Sequence, residues 1–283
     1  METNRNKLVS LASSGSIAHP SLGKSYWTSF DGQAINVPSV GSIVYDFKIG
    51  DNCIDLVGDH VEPGVSIKNN DSSLNMSLNH LACIGNIATI TSGNAKGKTG
   101  VVTGKHGGVD HIIIHFEDEI LDQLVIGDHI QIRTVGLGLA FTHFPQIKLF
   151  NMDPNLLERL KINVDHNQKV KVKVTKVLPA HLLGAGLGSA NIQIGDYDIM
   201  MHDESENIKY ELNDLRFGDF VAIEDHYAAF GPHYKKGALS IGIIVHSNSQ
   251  SAGHGPGVVI IMSDQSHTLE YQLDQTINLI NYI

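Results

Sequence analysis

The chain has 283 residues, 28 of them glycine, with 6% aromatic residues and a formal net charge of −10. It is long enough for two domains or one large β domain, and its interior must be filled by Val, Ile and Leu. The acidic balance argues against nucleic acid or an anionic membrane as the main partner, because phosphate contacts need clustered Lys and Arg; local basic patches stay open. Cys53 and Cys83 are the only cysteines and neither lies in a CxxC, which excludes a disulfide framework and a thiolate zinc site and fits a reducing cytoplasm. The N-terminus lacks the apolar core of a signal peptide, and no apolar run nears the roughly 20 residues of a membrane span, so a cytoplasmic protein is expected.

Residues 1–42 read as a polar arm followed by short strands, with turns at His19-Pro20, Asp31-Gly32 and Pro38. Strands are expected at Ile43–Phe47 and Ile54–Val57. The pair Gly-Asp recurs at Gly50-Asp51, Gly58-Asp59, Gly127-Asp128, Gly195-Asp196 and Gly218-Asp219. Each pair reads as a tight turn whose Asp bonds nearby backbone and feeds a strand. The segment GDHVEPGVS gathers Asp59, His60 and Glu62 before a Pro-Gly turn, a density of oxygen and imidazole donors suited to zinc, manganese or calcium. A solvated acidic turn explains the same residues equally well.

Helices are scarce. Asp71 or Ser72 caps one carrying Leu74, Leu78, Leu81 and Ala82 on a face; Glu117–Leu124 forms a short second. Asp153-Pro154 starts the clearest, with proline at the first helical position. In SGNAKGKTGVV the spacing from Gly93 to Gly97-Lys98-Thr99 is one residue short of a phosphate loop, and strand follows in place of helix, so no nucleotide cofactor is expected. GKHGGVDHIIIHF places Lys105 and His106 in a glycine turn, with His111 and His115 on one face of an alternating strand.

Pro145, Pro154 and a polar NVDHNQK run mark a boundary within residues 145–168, giving N-terminal (1–150) and C-terminal (151–283) β-rich domains. The second opens on KVKVKVTKV, a strand from Lys169 to Val177 with its lysines on the wet face. GAGLGS lacks dinucleotide spacing. His181, Asp196, Asp198, His202 and Asp203 follow; Asp196 and Asp203 read as turn chemistry. In GALSIGIIVHSNSQSAGHGPGVVIIMS, two apolar strands flank a loop holding His246, Ser247 and His254, where Gly253, Gly255 and Gly257 let a ligand approach the main chain.

Three resemblances follow from these motifs. Ile90, Lys96-Gly97, Gly100 and Val102 resemble the KOW motif of ribosomal proteins and transcription factors, which implies a small SH3-like barrel segment that often touches RNA. GDHVEPGVS, ACIGN, AKGKTGVVTGKHGG, GLGS with GDYDIM, LRFGDFVAI and IGIIVHS to AGHGPGV resemble an uncharacterised prokaryotic family, a two-part domain of unknown function spanning about Ile43 to Ser263. That family implies a two-domain β-rich architecture and no activity. LGSANIQIGDYDI, LRFGDFVAI and HSNSQSAGHGPGV are more loosely similar, in order, to the acetamidase/formamidase amide hydrolases. Pro256 stands where that family has an acidic residue, so its carboxylate does not carry over.

The expected fold is mainly β (α+β), two barrel- or sandwich-like domains with few short helices and a KOW-like barrel segment in the first half. The expected function is metal-dependent hydrolysis of a small polar amide-like substrate at an interdomain cleft. His254, His246 and His106 are the candidate catalytic residues, and Asp59, His60 and Glu62 the candidate ligands of a divalent metal. Lys105, Ser247, Gly253, Gly255 and Gly257 are the candidate substrate-binding residues. A homo-oligomer fits this reading. The alternative is a non-catalytic ligand- or RNA-binding protein using Lys96, Lys98 and Lys105.

Overall fold

Runs of β-branched residues bounded by glycine form strands because their side chains fill a pleated surface, and here they build two packed bodies. A computed structural model describes residues 1–21 and 25–283. Six antiparallel strands close a barrel in the order Leu11–Ile17, His129–Thr134, Ile87–Ile90, Thr99–His106, His111–His115, Gly64–Lys68. Ser16 paired with Lys68 and Ile17 with Ile67 complete the ring. Its interior is apolar, with Val65, Ile67, Val102, Ile112, Ile114, Ile130 and Ile132 fully buried. Within residues 1–42, expected as a polar arm and then short strands, Leu11–Ile17 is an integral barrel strand.

The second body is a six-stranded sheet: Lys148–Leu149, Gly257–Asp264, His233–His246, Phe220–Tyr227 and Lys176–Pro179 lie in order, and Tyr197–Asp198 pairs with Gly257–Asp264. A three-stranded sheet of Asn163–Val164, Val170–Val174 and Leu269–Leu273 flanks it. The strand expected from Lys169 to Val177 divides at Thr175. There the N–H bonds Phe220 O (2.7 Å) and the hydroxyl bonds Ile277 O (2.9 Å), so the chain passes from one sheet to the other. Lys176 consequently turns inward, onto Asp214 (2.7 Å).

Helices are short, the longest being Ser72–Leu81, capped by Asp71 through the N–H groups of Ser73 and Leu74. Its buried face is Asn75, Leu78 and Asn79, while Leu74 is exposed, because this helix covers the polar carbonyl of Asp110 as well as the core. Asp118–Leu121 and Pro154–Arg159 are helical, and Asp153 caps the latter. Ile43–Val44 is all that forms of the strand expected at Ile43–Phe47, and Ile54–Val57 is irregular, its turn fixed by Asn52 Oδ1. Among the described residues no helix is long and apolar enough to cross a membrane.

The two bodies meet along the outer face of the barrel. In HIIIH, Ile112 and Ile114 point into the barrel, whereas Ile113 joins the core of the second sheet. Gly104 pairs with Ile113 and lies against Val245; an added Cβ would stand 2.7 Å from the Val245 side chain. That close approach brings the end of Thr99–His106 against the end of His233–His246, and both strands end in histidine.

Candidate metal centre

Three strands of the second sheet place one row of side chains. Asp198 pairs with Gly257, and Gly257 with His246, so the Asp and the His flank a glycine on neighbouring strands. The alternation of Asp196-Tyr197-Asp198 sends both carboxylates to one side and buries Tyr197 on the other. Gly257 is required for space: a Cβ there would overlap both Asp196 Oδ2 and His246 Nε2. From the barrel side come His106 and His60. The His60 backbone has φ 52°, a left-handed conformation uncommon for a residue with a side chain.

Three imidazoles are oriented in the same way. His60 Nδ1 donates to Asp59 Oδ2 (2.6 Å), His106 Nδ1 to Glu62 Oε1 (2.5 Å), and His246 Nδ1 to the Ser247 carbonyl (2.9 Å). Tying Nδ1 to an acceptor fixes the tautomer and leaves the Nε2 lone pair free, the arrangement found behind metal-bound histidines. The rings cluster, His106 lying 4.2 Å from His246 and 5.5 Å from His60 between centroids. His60 Nε2 lies 3.1 Å from His254 Nδ1 and 3.4 Å from Asp198 Oδ2; His254 Nδ1 lies 2.9 Å from that same oxygen. On the other side His246 Nε2 approaches Asp196 Oδ2 to 2.8 Å and Asp198 Oδ1 to 3.6 Å. Despite that distance, His246 Nε2 and Asp196 Oδ2 are not aligned as a hydrogen bond, and both are buried without a partner.

The electrostatics are those of buried opposite charges. Burial alone would discharge His246, but the carboxylates of Asp196 and Asp198 outweigh it and lift the imidazole well above the ordinary histidine value. Burial would likewise raise Asp198; the imidazoles of His246, His254 and His60 instead hold it far below the carboxylate range. Glu62, fully buried, is held down in the same manner by His106 and His111. Protons on the imidazoles, or a cation between the donor atoms, would offset the burial of these carboxylates.

Two groups of donors can hold a cation, His60 with Asp198 and His254, and Asp196 with Asp198 and His246. A cavity of about 390 Å³ opens beside them, lined by His60, His106, Asp196, Asp198 and His254 together with backbone of Gly107, Gly108, Gly186 and Gly195. His246 sits beneath it, fully buried, and His254 stands half-exposed.

The expected residues divide accordingly. His60, His106, His246 and His254 converge. The expected metal triad does not form: Asp59 and Glu62 bond the far nitrogens of His60 and His106, since one-residue alternation and the turn send them behind the rings. Glu62 is saturated, also accepting from His111 Nδ1 (2.9 Å) and the Ser66 hydroxyl. Lys105 is not in a turn but fully buried in the strand. Its ammonium donates to Gln193 O (2.5 Å), Asn79 O (2.6 Å) and Asn151 Oδ1 (2.9 Å), out of reach of a substrate or RNA. Burial pushes that amine down to about 8.

Ser247 is buried too, its hydroxyl accepting from Val61 N (2.8 Å) and donating to Asn248 O (3.2 Å). Gly253 (φ 78°) receives Ala185 N–H on its carbonyl, and Gly255 donates to Asp198 Oδ2 (3.2 Å) while pressed on the Ile199 carbonyl. These glycines shape the site's wall. Asp196, read as turn chemistry, belongs to the centre, held by Gly107 N–H (2.8 Å), whereas Asp203 does cap a helix, Glu204–Lys209. His181 and His202 lie elsewhere, on Glu206 and on Phe30.

No curated protein matches the chain, so the acetamidase/formamidase likeness gains no support from a relative. Among solved structures, the crystal structure of TM1086 is similar throughout: identity is 41%, the TM-score is 0.96, and the match covers 100% of this chain and 99% of that one. Two family models, the N-terminal and C-terminal parts of a domain of unknown function, DUF4438, match residues 26–158 and 159–283. The chain therefore belongs to the DUF4438 family and carries both of its parts.

Proposed function

We propose that the protein is a metal-dependent hydrolase acting on a small polar amide-like substrate in the cleft between barrel and second sheet. The observation that carries this reading is the convergence of His60 and His246, each with Nδ1 tied back, and of His254 on the carboxylates of Asp196 and Asp198, with the His106 ring 4.2 Å from that of His246. Imidazole mixed with carboxylate suits zinc or manganese better than calcium, which prefers oxygen alone. A bound ion would polarise the substrate carbonyl and supply hydroxide at neutral pH.

The protein's own groups account for the rest. His106 lines the cavity and is oriented by Glu62, a carboxylate–imidazole pair of the kind that moves a proton in acyl-transfer chemistry. A cavity of about 390 Å³ fits a small molecule. No Lys or Arg of the described residues lines it, which favours an uncharged amide over an anionic substrate. Two buried free thiols, Cys53 and Cys83, support a cytoplasmic setting.

The test is a panel of short amides, with esters and carboxylated analogues as comparison, assayed before chelation, after it, and after zinc or manganese is restored. Amide turnover that disappears with the metal and returns with it is expected. A protein that retains no ion and stays inactive with both metals overturns the proposal.

A further inference from the structure

We infer that the centre holds two divalent cations bridged by Asp198, an inference that rests on the metal reading above and extends it. The two oxygens of this carboxylate serve different donors. Oδ2 faces His254 Nδ1 (2.9 Å) and His60 Nε2 (3.4 Å), while Oδ1 faces His246 Nε2 (3.6 Å), beside which lies Asp196 Oδ2. In each set the donor atoms lie within 4.8 Å of one another. A carboxylate presenting one oxygen to each of two imidazole sets is the bridge of two-metal hydrolytic sites, where paired ions stabilise both the attacking and the leaving oxygen.

Two further observations point the same way. His246 Nε2 and Asp196 Oδ2 are buried 2.8 Å apart without a hydrogen bond to each other or to any other group, and Gly257 keeps open the space that a Cβ would take from both atoms. A cation beside His60 and His254 alone would leave this pair without a hydrogen bond or a ligand. Charge gives the same count. Asp59, Glu62, Asp196 and Asp198 are four carboxylates with buried side chains, and no Lys or Arg of the described residues pairs with any of them. With neutral imidazoles as ligands, two divalent ions match the four carboxylates in charge.

The experiment strips the full-length protein with chelator, titrates it with Mn(II), and reads bound metal per chain together with the electron paramagnetic resonance of the loaded protein. Two ions per chain are expected, with the exchange-coupled spectrum of a bridged pair. His254→Ala and Asp196→Asn should each bind one ion and lose the coupling. The wild-type titration stands even if a variant fails to fold. One ion per chain, or two without coupling, overturns the bridged pair and leaves the metal reading intact; no bound ion overturns both.

Discussion

Glu62 and Asp198 are both buried carboxylates surrounded by histidines, and they sit in the same centre to opposite ends. Glu62 has both oxygens hydrogen-bonded, Oε1 to His106 and His111 and Oε2 to His111 and the Ser66 hydroxyl. Asp198 has His254, His60 and the Gly255 N–H on Oδ2, while its Oδ1 faces only His246 at 3.6 Å, next to atoms that have no hydrogen-bond partner. A carboxylate with both oxygens bonded is a support; one with an oxygen left free can still take up a cation. Charge and burial alone do not separate the two, and the oxygen left without a hydrogen bond does.

The contrast is sharpest in a paired substitution. Asp198→Ala should abolish metal binding and turnover together, since it removes a donor from both triads. Glu62→Gln should keep the metal stoichiometry and lower metal affinity or turnover by about 10–100-fold, the effect of losing an orienting acceptor behind a ligand. If Glu62→Gln instead removes a metal ion, Glu62 is itself a ligand and the comparison breaks. Gly257→Ala probes the space between the triads. Its Cβ would overlap Asp196 Oδ2 and His246 Nε2, so it should cost about 1–3 kcal/mol of stability by overpacking, read from denaturant unfolding, and weaken metal binding as well. Unchanged metal affinity would show that the cradle plays no part in binding.

Why the sequence led to some of these residues and not others is visible in the Gly-Asp pairs. Asp51, Asp128 and Asp219 each accept the N–H three residues earlier, from Lys48 (2.8 Å), Val125 (3.1 Å) and Arg216 (3.0 Å), which is the turn chemistry expected of them. Asp59 and Asp196 follow the same glycine but turn to His60 and His246. The dipeptide is identical in all five, and only tertiary neighbours decide its use. A usable signal did exist in Asp196-Tyr197-Asp198, where strand alternation puts two carboxylates on one face. His254, flanked by Gly253 and Gly255, was legible because a loop between buried strands is a natural site, and His246 because it closes the strand that leads into that loop. Lys105 was misplaced because its glycine neighbours suggested a turn, while the strand ran through to His106 and buried it. The barrel's hairpins were legible from alternation; its closure by Leu11–Ile17 was not, because that strand is polar and largely exposed.

His226 extends the comparison to a buried histidine with no carboxylate at all. It lies on the same sheet as His246, fully buried, with Nδ1 2.8 Å from the Ser240 hydroxyl and Nε2 without a partner. Burial, helped by His233, pushes it down to about 4. Above the unfolded value of about 6.5 the ring is neutral in both states, so it costs nothing. As pH falls through that value the unfolded chain takes up a proton that the folded chain refuses, so stability drains away until the pH reaches about 4. The gap bounds the loss at about 3 kcal/mol. His226→Gln should therefore flatten the fall in melting temperature between pH 6.5 and 4.5, measured on metal-free protein so that loss of ligand ions does not contribute. Glu62 and Asp198, held below the carboxylate range, act mainly at the acid end of that window and are common to both proteins. An equally steep fall in the variant would mean that His226 is protonated in the folded state, through a partner for Nε2.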